Sequence, residues 1–176
     1  MLPRGRFWTV PNVLSLSRLV LLPLFIWALA TPGYLWLAGV LLLWGVLSDV
    51  ADGYLARKLN QQSEWGRLLD PVADKLTLGV ALGYCYVARD LPLWVLLLVV
   101  GRDLAILLLA RVLADRAGRL PASIMVGRLA ALSLGLLALV YILEVDPLKR
   151  PMLAVSVFLL FLSSLMYARR LWTHAD

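Results

Sequence analysis

Four aspartates stand at or inside apolar stretches, where charged side chains are costly. Asp49 and Asp52 are three residues apart, and Asp70 and Asp74 are four residues apart. On a helix, each spacing puts both carboxylates of a pair on one face. Acids inside a membrane span are expensive, and they usually face a polar cavity and act there. The pattern therefore predicts two acidic helix faces that meet at a functional site.

Converging carboxylates indicate bound cations. Four of them would repel one another and take up protons unless positive charge compensates, and two divalent ions would neutralise all four. Cys85 lies in an apolar stretch and His174, the only histidine, lies in the tail, so neither supplies a soft ligand. Oxygen ligands alone select Mg²⁺ or Mn²⁺. We expect two such ions to be bound by Asp49, Asp52, Asp70 and Asp74.

Small residues accompany the acids. Gly53 and Ala56 share the helix face of the first aspartate pair, and Gly66 precedes the second pair. Their size lets a bulky ligand approach the backbone. Arg57, one turn beyond Gly53, is placed to meet a phosphate. Metals, an arginine and cleared space together suit a pyrophosphate substrate and phosphoryl transfer.

The elements that position these residues are membrane helices. The chain has 176 residues, of which 62% are hydrophobic, and a mean hydropathy of +0.85, more than a soluble domain of this length normally carries. We predict one domain over residues 1–176, an all-α bundle of six transmembrane helices with a polar cavity open to the cytoplasmic side. The six predicted spans are 10–31, 34–57, 68–88, 91–115, 126–143 and 152–172.

Two of these boundaries depend on proline. Pro71 suits the first turn of a helix, which predicts that the third span begins near Asp70 and that Gly66 belongs to the connecting loop. If the helix instead extends back, Gly66 lies one turn before Asp70 on the acidic face. The stretch from Glu144 to Pro151 is interpreted as a break, with Glu144 and Asp146 in a solvated loop.

Charge predicts the orientation. Eleven of the seventeen Lys and Arg residues lie near the span ends on the side that holds both termini, so that side and the active site are predicted to be cytoplasmic. We expect a multi-pass protein of the bacterial inner membrane or an equivalent membrane, with no removable signal peptide. The formal charge is +6, and the basic residues behind it flank apolar spans. This arrangement is typical of binding to anionic membrane lipids and not of binding to nucleic acid.

At this point a family resemblance is clear. The pattern Asp49-x2-Asp52-Gly53-x2-Ala56-Arg57-x8-Gly66-x3-Asp70-x3-Asp74 resembles the signature of the CDP-alcohol phosphotransferases. The resemblance implies a phospholipid-synthesising enzyme that transfers a phosphatidyl group from a CDP-lipid to an alcohol and releases CMP. It also implies a homodimer.

The resemblance assigns roles to residues. It implies that Asp49, Asp52 and Asp70 bind metal, and that Asp74 lies close to the metals and acts as general base toward the acceptor hydroxyl. It further implies that Asn12, Ser15, Gly53, Arg57 and Ser63 contact the CDP moiety. The predicted CDP-lipid site thus comprises Asn12, Ser15, Asp49, Asp52, Gly53, Ala56, Arg57, Ser63 and Gly66.

The acceptor is less closely defined. Phrases such as Pro11-Asn12-Val13-Leu14-Ser15 are similar to bacterial phosphatidylglycerophosphate synthases and cardiolipin synthases, which use CDP-diacylglycerol. A glycerol-3-phosphate acceptor needs basic residues near the cytoplasmic mouth. Many relatives that use it have an Arg-Glu pair where this chain has Arg111-Val112, so phosphatidylglycerol stays open as the acceptor. The candidate acceptor-binding residues are Arg111, Arg116, Arg119 and Arg128, which also follow the positive-inside rule.

Two other classes of protein also carry intramembrane acids. A cation- or proton-coupled transporter explains the aspartates but gives no purpose to Gly53, Ala56, Arg57 and Gly66. An inactive scaffold does not explain why all four acids are present. An enzyme is therefore the favoured class.

Overall fold

The computed structural model describes residues 9–59, 64–117 and 125–172, and these form six helices. Predicted spans and observed helices correspond one to one. The helices are α1 (Val10–Ala30), α2 (Leu35–Lys58), α3 (Glu64–Ala88), α4 (Leu93–Ala117), α5 (Met125–Ile142) and α6 (Asp146–Trp172). The all-α expectation is confirmed for the described residues.

Local sequence explains where the first helices begin and end. Thr9 caps α1, because its hydroxyl accepts a hydrogen bond from the backbone N–H of Asn12 at 3.4 Å. Pro11 occupies the first turn, where its missing N–H costs little. Gly33 turns the chain into α2 with a φ of +86°, a conformation that favours glycine.

The third and sixth helices begin earlier than the prolines predict. Helix α3 starts at Glu64 and contains Pro71, so Gly66 lies in the helix and the expected start near Asp70 is wrong. Helix α6 starts at Asp146 and contains Pro151. Pro71 is the eighth residue of α3 and Pro151 the sixth of α6, so each removes a hydrogen bond inside its helix, a cost that the packing of the whole helix offsets. Proline was therefore too strict a boundary signal.

Helix α1 packs against both α2 and α3, and α5 packs against α2, α3 and α6. Helices α2 and α5 come close where a Cβ at Gly135 would lie 2.7 Å from Val46 Cγ2. Helix α4 contacts α3 and α6. The acidic helices α2 and α3 are therefore held between α1 on one side and α5 on the other.

The outer surface of the bundle is apolar. Val20, Phe158 and Phe161 are each more than 60% exposed, as expected for side chains that face lipid. Among the described residues, three helical segments are long and apolar enough to cross a membrane, namely Val10–Ala30, Leu35–Asp52 and Asp146–Arg169, and a shorter apolar helix covers Val126–Ile142. These features are those of an integral membrane protein, while the crossing of all six helices stays a prediction.

Candidate active site

The carboxylates of α2 and α3 converge on a single guanidinium, that of Arg18 in α1. Its Nη1 lies 3.4 Å from Asp49 Oδ1 and also contacts Asp74 Oδ1. Its Nη2 lies 2.5 Å from Asp52 Oδ2. Charge-assisted hydrogen bonds of this kind are among the stronger polar contacts in proteins. One arginine thus joins both acidic helices to α1.

Ser15, about one turn before Arg18, brings in the fourth carboxylate. Its Oγ contacts Asp70 Oδ1 and lies 3.3 Å from Asp52 Oδ2, and the residue is fully buried. Its hydroxyl is also 3.2 Å from the carbonyl of Pro11. The structure therefore brings all four aspartates together, as their helical spacing predicts.

The carboxylates differ in how accessible they are. The Asp52 side chain is only 4% exposed and is enclosed by Arg18 and Ser15. The side chains of Asp49 and Asp74 are 37% and 39% exposed. Asp49 and Asp74 are therefore accessible to a small ligand, whereas Asp52 is enclosed within the protein.

A cavity of about 60 Å³ opens beside these two accessible carboxylates. Arg18, Asp49 and Asp74 form its polar end. The rest of the wall is mainly apolar and comes from α2, α3 and α5, through Leu42, Gly45, Val46, Thr77, Leu78, Ala131, Leu132 and Gly135. A site with a charged end and an apolar wall suits an amphipathic ligand.

The donor chemistry fits a hard divalent cation, since the site offers carboxylate oxygens from four aspartates. Arg18 offsets one of their four formal negative charges, so an excess of negative charge remains at this cluster. In the described parts of the chain, no group of three or more acidic, histidine or cysteine side chains is arranged around one ion position. The oxygens are instead directed at the Arg18 guanidinium and the Ser15 hydroxyl.

The other predicted site residues are only partly described. Asn12 and Gly66 are buried, at the beginnings of α1 and α3 respectively. Arg128 is exposed near the start of α5. The helical backbone includes residues 53, 56 and 57 in α2 and residues 111 and 116 in α4, but their side chains are not described. These five residues are Gly53, Ala56, Arg57, Arg111 and Arg116. Ser63 and Arg119 lie outside the described residues altogether.

A second charged cluster lies next to the site, between α3, α4 and α6. Lys75 Nζ is 3.1 Å from Asp103 Oδ2, and Arg102 Nη1 is 3.1 Å from Asp103 Oδ1. Arg102 also donates a hydrogen bond to Ser163 Oγ at 2.8 Å. Lys75 follows Asp74 directly, so this network links α3 to α4 beside the site.

Sequence reasoning missed Arg18. The signal was present, because an arginine in the interior of the apolar segment that forms α1 is as unusual as an aspartate in α2. Its spacing of three residues from Ser15 also puts both side chains on one face of α1. The argument applied to the acids would have predicted a role for this base.

Together, the fold and the site define a class of protein. It is a membrane protein whose helices surround an acidic site beside an apolar cavity. The chain matches the family model "CDP-alcohol phosphatidyltransferase" over residues 8–165. The chain belongs to this family, which confirms the resemblance drawn from the motif.

Curated relatives agree with this assignment. The chain is 42% identical over 115 residues to a cardiolipin synthase (CMP-forming) of Streptomyces coelicolor, covering 61% of this chain and 53% of the relative. It is 37% identical over 125 residues to a probable phosphatidylglycerophosphate synthase of Mycobacterium tuberculosis, covering 68% and 59%. It is 42% identical over 101 residues to a CDP-diacylglycerol–glycerol-3-phosphate 3-phosphatidyltransferase of Aquifex aeolicus, covering 56% of each. The chain spans little more than half the length of these relatives.

Proposed function

We propose that this protein transfers the phosphatidyl group of CDP-diacylglycerol to glycerol-3-phosphate and releases CMP. The observation that carries the proposal is the convergence of four aspartates from α2 and α3, two of which, Asp49 and Asp74, border an apolar cavity. The relatives from Mycobacterium and Aquifex, named for this reaction, support it. The transporter alternative is set aside because the family is one of phosphatidyltransferases.

The reaction requires a proton acceptor and a means of offsetting charge. In the proposed mechanism an Asp74 carboxylate oxygen takes the proton of the acceptor hydroxyl, and the deprotonated acceptor oxygen forms a bond to the β-phosphorus of the CDP-lipid. The bond from this phosphorus to the bridging oxygen breaks, and CMP leaves with the electron pair. Asp74 suits the role of base because it is accessible and borders the cavity.

Divalent ions, Mg²⁺ or Mn²⁺, are part of the proposal. Asp49, Asp52, Asp70 and Asp74 would hold them, and when bound they would offset the negative charge of the pyrophosphate. Ser15 and Arg18 would keep the carboxylates of α2 and α3 facing one another. Gly53, Ala56 and Arg57 follow Asp52 within α2, so they are proposed, with Asn12, Ser63 and Gly66, to contact the CDP moiety.

The acceptor has a second candidate. The Streptomyces relative is named as a cardiolipin synthase, and the apolar cavity wall is compatible with a lipid acceptor such as phosphatidylglycerol. Glycerol-3-phosphate is favoured if the predicted arginines bind its phosphate, and among these Arg128 is exposed. The two acceptors differ in apolar content, which makes them easy to separate by assay.

Orientation and assembly are proposed on the same basis. We place the termini and the active site on the cytoplasmic side, because most basic residues flank the spans there.

We also propose a homodimer. Gly79 and Gly83 on α3 have open space at their Cβ positions, which leaves room for a close helix contact.

The test is CMP release by the purified protein in detergent with CDP-diacylglycerol and Mg²⁺, with glycerol-3-phosphate and phosphatidylglycerol offered separately. Asp74→Asn should lower the rate by roughly 10²- to 10⁴-fold, the range expected for a general base. Asp90→Asn is the matched control, since Asp90 is exposed in a turn with a φ of 55° that asparagine also adopts. CMP release with phosphatidylglycerol alone would assign the second acceptor. Equal rates in both variants would contradict the role of Asp74.

A further inference from the structure

We propose that Arg18 is a built-in counter-cation that holds the carboxylates of Asp49, Asp52 and Asp74 together in the metal-free protein and competes with divalent ions for them. The inference rests on the proposed function, because it concerns the ions that this function requires. It adds a role for a residue of α1 that lies outside the family motif of α2 and α3.

The contacts of Arg18 are those of a cation in an anionic site. Its two terminal nitrogens reach Asp49, Asp52 and Asp74, and Nη2 is also 3.4 Å from Ser15 Oγ. The residue is 4% exposed. A buried charge of this kind is stable only when it is paired and hydrogen-bonded, and the carboxylates likewise need a cation. Each side therefore satisfies the requirement of the other.

The same contacts place Arg18 in competition with a metal. Mg²⁺ demands about six oxygen ligands at close range, and a guanidinium bonded to those oxygens repels an incoming ion. The Nε of Arg18 is buried and has no hydrogen-bond partner among the described residues. The guanidinium is therefore held only through its two terminal nitrogens, Nη1 and Nη2. An ion that displaces it has to break only the contacts of these two atoms with the aspartates.

Accessibility indicates where exchange would begin. Asp49 and Asp74 are more than one-third exposed and border the cavity together with the largely buried Arg18, whereas Asp52 is enclosed. An ion arriving from the cavity would meet these two carboxylates first. Both are bound to Nη1, so the first ion weakens the hold on that nitrogen while Nη2 stays paired with Asp52.

The test uses the purified full chain without lipid substrate. Wild type and Arg18→Gln are stripped with EDTA and titrated with Mn²⁺, and free Mn²⁺ is measured by electron paramagnetic resonance. We expect Arg18→Gln to bind Mn²⁺ roughly tenfold more tightly or better, since one positive charge next to the ion has been removed. In EDTA, we expect the melting temperature of Arg18→Gln to lie below that of wild type. Added Mn²⁺ should raise the melting temperature of Arg18→Gln by more than it raises that of wild type.

Two further variants serve as controls. Arg89→Gln removes an arginine that pairs with Glu144 beyond the other end of α3, and it should leave the Mn²⁺ affinity unchanged. Arg18→Lys keeps the charge but not the fork of two nitrogens, and it should give an intermediate affinity even if Arg18→Gln does not fold without metal. Unchanged or weaker Mn²⁺ binding in the Arg18 variants would overturn the inference while leaving the proposed function standing. Absence of Mn²⁺ binding in wild type and in Arg18→Gln alike would overturn both.

Discussion

Replacing Ser15 with alanine should weaken the site without disturbing the packing around it. The Ser15 hydroxyl contacts Asp70 and lies 3.3 Å from Asp52, in a fully buried position. Alanine differs by one oxygen atom, so the substitution leaves almost no space to refill. What is lost is the donor that ties α1 to the aspartate of α3.

The size of the effect follows from the number of donors. A hydroxyl has one hydrogen, so one hydrogen bond to a charged group is lost, which corresponds to about 1.5–3 kcal/mol. For a chain of this length, about 2–4 °C accompanies each kcal/mol, which gives a fall in melting temperature of about 3–12 °C. If half of the lost interaction acts in the transition state, CMP release slows roughly four- to thirteenfold.

The matched control is Ser156→Ala. Ser156 is also fully buried, and it donates to the carbonyl of Ser133 at 3.0 Å between α5 and α6, away from the acids. Loss of this neutral hydrogen bond should cost about 0.5–1.5 kcal/mol and leave the rate of CMP release unchanged. Ser15→Thr, which keeps the hydroxyl, should retain most activity. The reasoning is refuted if Ser15→Ala and Ser156→Ala have the same CMP-release rate.

Three further outcomes are expected. Gly135→Ala should lower the melting temperature, because its Cβ would lie 2.7 Å from Val46 Cγ2 and overpacking costs about 1–3 kcal/mol. Gly79→Ala is the control and should leave the melting temperature unchanged, because the space at its Cβ position is open. Thr77→Val should leave the melting temperature unchanged or raise it, because the buried Thr77 hydroxyl has no partner among the described residues; a clear fall would show that the hydroxyl is bonded. Chelation with EDTA should stop CMP release, and Mg²⁺ or Mn²⁺ should restore it; full activity in EDTA would contradict the proposed ions.

The sequence was sufficient to predict the six helices. Apolar runs separated by polar breaks gave the first span as 10–31, and α1 covers Val10–Ala30. The errors arose where proline was treated as a boundary. Pro71 and Pro151 both lie inside helices, because tertiary packing of the longer helix outweighs one missing hydrogen bond.

The candidate site was predictable in part. The acids stood out because a charge in an apolar segment is rare, and helical periodicity was enough to pair Asp49 with Asp52. The partners in α1 were harder, since only tertiary structure shows that α1 contacts both acidic helices. The cavity wall was beyond prediction from sequence, because Leu42, Leu78 and Leu132 look like any other lipid-facing or core residue until three helices bring them together.

The position of Arg18 in the first helix has a consequence for biogenesis. Helix α1 precedes its partners in the chain, so it reaches the membrane before the aspartates of α2 and α3 have been synthesised. An arginine near the middle of a helix costs about 2.5–3.5 kcal/mol on the translocon-insertion scale, which the surrounding leucines and valines must offset. The apolar residues of α1 must therefore compensate for this charge until Asp49, Asp52 and Asp74 are present to pair with it.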